Sequence, residues 1–348
     1  MEARDWTNPD LPRRLASFLS DSAGRPVRIE NMHRFSAGMS WITFGFLAEF
    51  GDPEGAVETL DLILRIGDSF GLLAPYSAEP EFLALEALSA APGLPIPRAY
   101  WRSDDDAIIG APFIITQRVE GDTPLPWKRG AGDERDAATD LGLGRDFADA
   151  LAAIHLCDWT QTPMAKLSHG VTIDDVARRE TMRWSAHARI PRGDAPPQMH
   201  YAMRWLEAHA PPASRISIVH GDYRVGNFLA LNGRITAILD WELVHLGDPH
   251  EDLAWAGLRA FAAGTSRVGG LIEREAFYAR YEEKTGWRVD RDLLGYYEIL
   301  GLYKQASMLI GAMDRMASGR ARDYRMAAMG FQLAPTLLEL NRLIEAAP

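Results

Sequence analysis

A predicted β-hairpin in the second half of the chain constrains the fold more than any other feature of the sequence. Two β-like runs within residues 228–239 are separated by Asn232-Gly233. Asn-Gly between such runs favours a type I′ turn and is the strongest short-range hairpin signal. Because a hairpin returns the chain to its starting point, Asn227 before the first strand is expected to lie near Asp240 after the second.

The residues at the open end of this hairpin are polar and mostly acidic. Asp222 lies in the loop just upstream, so its carboxylate is expected to converge with Asn227 and Asp240. Mg²⁺ prefers oxygen ligands and commonly takes one or two protein carboxylates together with phosphate oxygens. The pattern therefore predicts a site for a divalent cation at the end of the hairpin.

The composition excludes several classes of protein. The 348 residues are 47% hydrophobic and 24% charged, which is ordinary for a globular chain. This length is enough for roughly two domains, or for one domain with a satellite. The 37 basic and 48 acidic residues give a net charge of −11. Because phosphate neutralisation requires clustered Lys and Arg, the chain is a poor candidate for binding nucleic acid.

Cysteine usage and hydropathy bear on the cellular compartment. Cys157 is the only cysteine, so the sequence holds neither an internal disulfide nor a cysteine-based zinc or iron–sulfur site. No stretch approaches the run of about 18 apolar residues that would span a bilayer, and the first residues are charged. We expect a cytoplasmic protein with no membrane partner, and the sequence leaves its oligomeric state open.

The period of the hydrophobic residues changes once along the chain, near residue 119. Residues 1–118 predict a short helix at Leu11–Leu19, a meander of antiparallel strands and a helix at Glu79–Leu88. Residues 119–348 are mostly helical, so we expect an α+β protein with one lobe of each kind. The other expected elements are strands at Pro26–Phe35, Trp41–Phe50 and Val57–Ile66, two strands that end near 119, a helix at 139–156 and two or three helices within 273–345.

The motif His220-x-Asp222-x-x-x-x-Asn227, followed by Asp240, resembles the catalytic loop and metal-binding aspartate of the kinase-like fold. It is most similar to the aminoglycoside phosphotransferase and choline kinase family, where His-Gly-Asp replaces the protein-kinase His-Arg-Asp. The segment 247–252, Gly-Asp-Pro-His-Glu-Asp, matches the same family. The resemblance covers nearly the whole chain, and within the family the chain looks most like the kinase domains that some organisms fuse to acyl-CoA dehydrogenases.

This resemblance implies a bilobal protein-kinase-like fold and a set of roles at the hairpin. Asp222 would orient the hydroxyl of a small-molecule substrate and accept its proton. Asn227 and Asp240 would hold Mg²⁺ on the phosphates of ATP or GTP. His220 is expected to support the catalytic loop through hydrogen bonds, and Asp252 to bind the backbone of that loop.

The expected nucleotide end lies in the first lobe. Ser36, Gly38 and Ser40 stand between two predicted strands and resemble the loop that covers the phosphates in this family. The first lobe contains no lysine, so Arg65 occupies the strand position where this fold usually carries one. Arginine binds phosphate bidentately, and Glu81 on the next helix is its best predicted partner. Two alternatives remain. The segment from Ser36 to Ser40 could be an ordinary hairpin turn without a role in phosphate binding, and Arg65 could point into solvent from the edge of the sheet.

The segment between the lobes is expected to contact the nucleotide base. By resemblance, Gln117 to Val119 would form the linker whose backbone meets the base. The implied cofactor is Mg²⁺ and the implied co-substrate is ATP or GTP. The sequence does not distinguish the two nucleotides.

A helical insertion at about 160–210 is expected to form the acceptor pocket, and it is basic. From Arg178 to Trp205 six arginines accompany two acidic residues. Arg183, Trp184 and Tyr201 are the candidate substrate contacts, since they offer positive charge and stacking surface. This segment favours an anionic or partly apolar hydroxyl compound, such as a hydroxyacyl thioester of coenzyme A, over a cationic aminoglycoside. The alternative is that this segment has no role in acceptor binding. It would then be a pair of helices whose arginines face solvent and whose Met and Trp side chains are buried in the core.

Several functions fit these residues. We favour a small-molecule kinase that transfers the γ-phosphoryl group of a nucleotide to an alcohol. An inactive nucleotide-binding protein of the same fold is one alternative, although the joint presence of Asp222, Asn227 and Asp240 argues against a decayed site. An aminoglycoside phosphotransferase proper and an unrelated metal-dependent hydrolase that uses the same acids are the others.

Overall fold

The computed structural model describes residues 6, 10–35, 38–51, 56–125, 137–189, 193–262, 264–321 and 323–347. Within these ranges the strands are β1 (Val27–Phe35), β2 (Trp41–Gly51), β3 (Val57–Gly67), β4 (Ala99–Ser103), β5 (Phe113–Gln117), β6 (Ser217–Val219), β7 (Phe228–Leu231), β8 (Arg234–Ile238), β9 (His245–Gly247), β10 (Arg267–Val268) and β11 (Ile272–Glu273). The α-helices are α1 (Asp10–Ala23), α2 (Glu79–Leu88), α3 (Asp106–Ile109), α4 (Ala137–Leu156), α5 (Val176–His187), α6 (Pro197–Ala208), α7 (His250–Ala256), α8 (Arg274–Thr285), α9 (Arg291–Ala317), α10 (Tyr324–Met329) and α11 (Leu333–Ala346). None of these helices is long and apolar enough to cross a membrane.

The first part of the chain is a five-stranded antiparallel sheet in the order β1-β2-β3-β5-β4. Alternate side chains of β3 point to opposite faces of this sheet. Leu62, Leu64 and Ile66 are buried on one face, in a core that includes Leu15 of α1. Arg65 stands between them in sequence and so projects from the other face. The strand period alone therefore directs this cation away from the α1 core.

The second face of the sheet packs on α2 and on the helical part of the chain. Leu83 and Leu88 of α2 and Ile114 of β5 belong to the same buried cluster as residues of α4, α7 and α9. The larger hydrophobic core therefore runs across the boundary between the β-rich and helical parts. We propose residues 1–118 and 119–348 as the two lobes, a division that falls directly after β5.

The second part of the chain is helical apart from short strand pairs. Helix α9 runs through its middle for 27 residues, and most of its side chains between Leu294 and Ala312 are buried. The insertion expected at about 160–210 consists of two short 3-10 turns followed by α5 and α6. The predicted hairpin, β7 paired with β8, lies against α4.

Most of the predicted elements are confirmed, including the bounds of α2, and the α+β kinase-like architecture is the one observed. The end of the chain differs, because α8, α9, α10 and α11 make four helices where two or three are predicted. Gly286 and Gly319, each with φ near +70°, follow the ends of α8 and α9 and account for two of the breaks. The pairing of β6 with β9 joins residues about 30 positions apart, and no local pattern predicts such a pairing.

Candidate active site

The predicted hairpin forms and brings its two polar ends together. Asn232 and Gly233 have φ values of +53° and +73°, as a type I′ turn requires. At the open end the Leu239 amide donates to the Asn227 carbonyl at 2.8 Å. Asp240 follows immediately with φ of +68°. A non-glycine residue rarely adopts this left-handed conformation, which is concentrated at functional sites.

Three donors hold the Asp222 carboxylate. The Trp255 indole N–H donates to Oδ1 at 2.8 Å, and Nε of Arg224 donates to the same oxygen at 3.1 Å. Nδ2 of Asn227 donates to Oδ2 at 2.6 Å. The side chain is only 15% exposed. Arg224, Asn227 and Trp255, all in the second part of the chain, therefore orient the Asp222 carboxylate.

The loop that carries Asp222 is anchored from both sides. The Asp252 carboxylate accepts the backbone amides of His220 and Gly221 at 2.7 and 2.9 Å. Burial alone would raise the pKa of Asp252, but a hydrogen bond from His155 and attraction to that ring lower it. His220 Nε2 lies 3.0 Å from the Leu239 carbonyl, while its Nδ1 accepts the Asp222 amide. Burial lowers the pKa of His220, which suits this neutral bridging role.

Arg65 connects the sheet to the end of the β7–β8 hairpin. Its guanidinium donates to Glu81 Oε1 at 2.6 Å and to Asp240 Oδ1 at 2.7 Å. The side chain is 15% exposed and its guanidinium carbon lies 5.4 Å from the centre of the Trp41 ring. The alternative of a solvent-facing Arg65 is therefore wrong, because a buried guanidinium in this sheet has acidic partners on both sides.

A third acid, Glu242, completes this group. Its Oε2 is buried and has no hydrogen-bond partner among the described residues, and the same is true of Glu81 Oε2. Burial and the neighbouring Asp240 raise the pKa of Glu242 well above its usual range, although Arg65 and the Ser40 hydroxyl act in the opposite direction. Glu81, Asp240 and Glu242 thus surround the guanidinium of Arg65. Because acids outnumber bases in this group, a bound cation would stabilise it.

Of the other predicted nucleotide residues, Ser40 contacts this group. Ser36 falls outside the described residues. Gly38 has φ of +90° and its carbonyl accepts from Arg325 at 2.7 Å, while Ser40 hydrogen-bonds Glu242. Gln117 is exposed at the end of β5, where its backbone N–H donates to the Arg98 carbonyl. Val119, two residues later, is half-buried.

A comparison with protein families decides the identity of this architecture. Residues 50–293, more than half of the chain, match the family model described as the phosphotransferase enzyme family. The chain belongs to this family. Kinase-like phosphotransferases of this family use ATP and Mg²⁺ in general.

Curated relatives and solved structures agree with that assignment. This phosphotransferase is 28% identical over 297 residues to acyl-CoA dehydrogenase family member 10 of Mus musculus, an alignment that covers 80% of the chain and 27% of that relative. The chain thus spans about a quarter of the mouse protein. A Ralstonia eutropha structure that carries a provisional aminoglycoside phosphotransferase name matches with TM-score 0.70 and 22% identity, over 97% of this chain and 98% of that one. A mutant of aminoglycoside phosphotransferase APH(4)-Ia, in complex with ADP and hygromycin B, matches with TM-score 0.51 and 16% identity, over 95% and 98%.

Of the three predicted acceptor residues of the phosphotransferase, Trp184 is not on the surface. Arg183 lies on α5 near Glu180 and above the Trp184 ring. Trp184 is only 1% exposed and its indole donates to Glu180 at 3.1 Å. Its ring is therefore part of the core and offers no open stacking surface, which corrects the prediction for this residue. Tyr201 is 55% exposed on α6.

Three residues of the site do not appear among the sequence-based candidates. Arg224 stands two positions after Asp222, so a cation inside the motif was a signal that could have been used. Glu242 follows Asp240 by two positions and is an acid within an apolar run. Trp255 lies 33 residues beyond Asp222 and carries no local signal, because only the packing of α7 brings its indole to the carboxylate.

Proposed function

We propose that this phosphotransferase is a small-molecule kinase that moves the γ-phosphoryl group of ATP or GTP to a hydroxyl group. The observation that carries the proposal is the meeting of Asp222, Asn227 and Asp240 at the open end of one hairpin. Arg65 reaches the same point from the sheet and contacts Asp240. An acceptor base and a phosphate-binding side thus adjoin each other across the two lobes.

Asp222 is the proposed base. The hydroxyl oxygen of the acceptor would form the new bond to phosphorus while the bond from phosphorus to the nucleoside diphosphate breaks. The hydroxyl proton would pass to the Asp222 carboxylate, and the leaving diphosphate would keep the bonding electron pair. The bonds from Trp255, Arg224 and Asn227 hold the carboxylate in one orientation before the acceptor arrives, which reduces the entropic cost of the step.

The acids of the site fit a magnesium ion. All the candidate donors are carboxylate or amide oxygens, the ligand type that Mg²⁺ prefers. Asn227 uses its amide nitrogen to hold Asp222, which leaves its side-chain oxygen for a cation, and Asp240 supplies a carboxylate. Glu242 places a second buried carboxyl oxygen without a partner nearby. Bound there, Mg²⁺ would neutralise charge on the nucleotide phosphates.

The remaining nucleotide contacts would come from the first lobe. Arg65, held by Glu81, is placed to bind a phosphate through its charge-assisted donors. Ser36, Gly38 and Ser40 would cover the phosphates, and the linker from Gln117 to Val119 would meet the base. The hydrogen bond of Ser40 to Glu242 supports this placement, because it brings the β1–β2 loop to the acidic group.

For the acceptor we propose an anionic or hydroxyacyl-type compound. The segment from Arg178 to Trp205 holds six arginines and two acids, and Arg183 is partly exposed within it. The name of the mouse relative refers to acyl-CoA, which points in the same direction. Arg183 and Tyr201 are the proposed contacts on this side, while the buried Trp184 is not.

Thermal shifts test the nucleotide side of this proposal. ATP and GTP should raise the melting temperature only when Mg²⁺ is present, and an ATP-free phosphate-ester hydrolysis assay should show no activity. Shifts that do not depend on Mg²⁺, or hydrolysis without nucleotide, would favour the inactive binding protein or the hydrolase instead.

A panel of hydroxyl compounds read by ADP release tests the acceptor. We expect anionic hydroxy compounds to be phosphorylated better than kanamycin-type aminoglycosides, and Arg183→Glu to reduce that activity. Arg288→Glu makes the same charge change on an exposed residue outside the insertion and should leave it unchanged. Efficient aminoglycoside phosphorylation that is insensitive to salt and to Arg183→Glu would contradict the anionic acceptor.

A further inference from the structure

Lys304 on α9 is a buried cation that contacts the catalytic loop from behind. The residue is 1% exposed. Its ammonium group donates to the Gly221 carbonyl and, at 3.1 Å, to Glu251 Oε1. The same nitrogen lies 4.7 Å from the centre of the Trp255 ring and 5.4 Å from that of Trp184.

The contact with Gly221 bears directly on the next residue, Asp222. The carbonyl that Lys304 binds and the amide of Asp222 belong to one planar peptide unit. That amide donates to His220 Nδ1 at 3.1 Å, so both polar atoms of the unit have a fixed partner. Gly221 itself has φ of +82°, and a Cβ there would lie 2.5 Å from the Leu243 carbonyl oxygen. The peptide that aims the Asp222 side chain is therefore held in a conformation with little freedom.

Lys304 also acts on Asp222 through Trp255. The indole N–H of Trp255 donates to Asp222 Oδ1 at 2.8 Å, while its ring faces the ammonium group. A desolvated cation above an aromatic face is attracted by the ring, and such contacts hold the ring in place. Two of the groups that define the direction of the Asp222 carboxylate thus converge on a single nitrogen.

The acids around Lys304 are balanced without a metal ion. Ligand atoms of Glu180, His245 and Glu251 lie within 4.8 Å of one another. Burial alone would lower the pKa of His245, but attraction to Glu180 and Glu251 raises it to about 9. Burial would raise the pKa of Glu251, but His245 and Lys304 lower it to about 2. His245 lies 3.1 Å from Glu251 and 3.7 Å from Glu180, and Lys304 and Arg183 contact these two acids at 3.1 and 3.4 Å, so each acid of the cluster has basic partners.

We propose that Lys304 is a positioning residue for Asp222, because its ammonium group holds the Gly221 carbonyl and the Trp255 ring that together aim the carboxylate. This inference rests on the proposed function, since it assigns Lys304 to the reaction of Asp222. Glu251 keeps the ammonium group in place and supplies the opposite charge that its burial requires.

The first test is Lys304→Met, which replaces the ammonium group by an uncharged chain of similar length. We expect kcat for Mg-ATP to fall about 10²-fold, both with the best acceptor of the panel and with water as the acceptor. The KM for ATP and the nucleotide Kd should stay within about twofold, because Lys304 has no role in nucleotide binding. Ser307→Ala, another buried change on α9 whose hydroxyl bonds only its own helix, should alter none of these values.

A second readout does not depend on turnover. The side-chain amide resonances of Asn227, assigned with Asn227→Ala, should move in Lys304→Met because their acceptor Asp222 changes position. If Lys304→Met does not fold, Lys304→Met/Glu251→Gln removes both buried charges at once and should show the same loss of turnover and the same movement.

The results separate the two proposals. A folded variant with parental turnover, or a loss of turnover without movement of the Asn227 side-chain resonances, overturns the positioning role. If the parent protein shows no Mg-ATP turnover at all but the resonances still move, the proposed function fails while the contact of Lys304 with the catalytic loop stands.

Discussion

The proposed catalytic loop and the proposed nucleotide end of the site meet at Asp240, yet their charged groups are satisfied to different degrees. Asp222 has three donors, and the loop that carries it is bound by Asp252 and Lys304. At the nucleotide end, Glu81, Asp240 and Glu242 share one guanidinium, and two of their buried oxygens have no hydrogen-bond partner in the part of the chain that the structure describes.

This difference separates a preorganised region from one that a ligand would complete. A carboxylate whose donors are in place pays little reorganisation when a substrate binds. Carboxyl groups in excess over cations destabilise the folded state and are relieved by added positive charge. We therefore expect changes at the catalytic loop to affect turnover, and changes at the nucleotide end to affect stability and nucleotide binding.

The largest expected effect is at Asp222. Asp222→Asn should lower turnover by about 10²–10⁴-fold, because the amide cannot take up the acceptor proton. Nucleotide affinity, measured by titration with Mg-ATP, should change little. Asp149→Asn, which alters an ion pair of Arg280 away from the site, serves as the control. Near-normal transfer by Asp222→Asn would remove the distinction between the two regions.

Arg65→Ala should lower the free energy of unfolding by about 3–5 kcal/mol, since it leaves the buried Glu81 without its cation. Burial already raises the pKa of Glu81, against the effect of Arg65. In Arg65→Ala, Glu81 should take up a proton more readily, so the loss of unfolding free energy should be smaller at pH 5.5 than at pH 8. Denaturant unfolding at both pH values measures this difference.

Arg267→Ala provides the contrast for Arg65. Arg267 forms an exposed pair with Glu273 at 2.9 Å, between β10 and β11 and outside the proposed site. Exposed pairs contribute about 0–1 kcal/mol, so its loss should be small and independent of pH in this range. If the two variants lose the same free energy of unfolding, the buried acids around Arg65 do not depend on its charge for their stability. The KM for ATP should rise only in Arg65→Ala.

Asp240→Ala should remove the stabilisation by nucleotide that depends on Mg²⁺. At a nucleotide concentration of 100 times Kd, binding adds about 2.7 kcal/mol to the free energy of unfolding, and the variant should lose that increment. Without nucleotide the variant should be no less stable than the parent, because one acid of an uncompensated group has gone. If Mg-ATP shifts the melting temperature of Asp240→Ala as much as that of the parent, Asp240 is not a ligand of the cation.

The smallest expected effect concerns pH and the cluster behind the catalytic loop. The pKa of His245 is raised to about 9 in the folded state, so its contribution to stability is complete below about pH 6.5 and is lost as the pH rises through 9. The melting temperature of the parent should therefore fall by at least about 2 °C across this interval. His245→Gln should show a flatter profile, and equal profiles would contradict the buried ion pairs.

Local sequence pattern accounts for much of this protein. Alternation along β3 set the face of Arg65, helical spacing defined α2, and Asn232-Gly233 specified the turn that joins Asn227 to Asp240. The pairing of Arg65 with Glu81 also followed from a cation in an apolar strand that required an acid within reach. Each of these results depends on residues close together in the chain, or on the geometry of a single element.

The surroundings of Asp222 were decided only by the tertiary structure. Trp255 and Lys304 lie 33 and 82 residues further along the chain, and the packing of α7 and α9 brings them to the catalytic loop. Trp184 shows the same limit, since its sequence context suggests a stacking surface while the fold buries it against Lys304. Periodicity in the sequence assigns a side chain to one face of its helix or strand. Only the tertiary structure shows which other element covers that face, and polar contacts are stronger where that element excludes water.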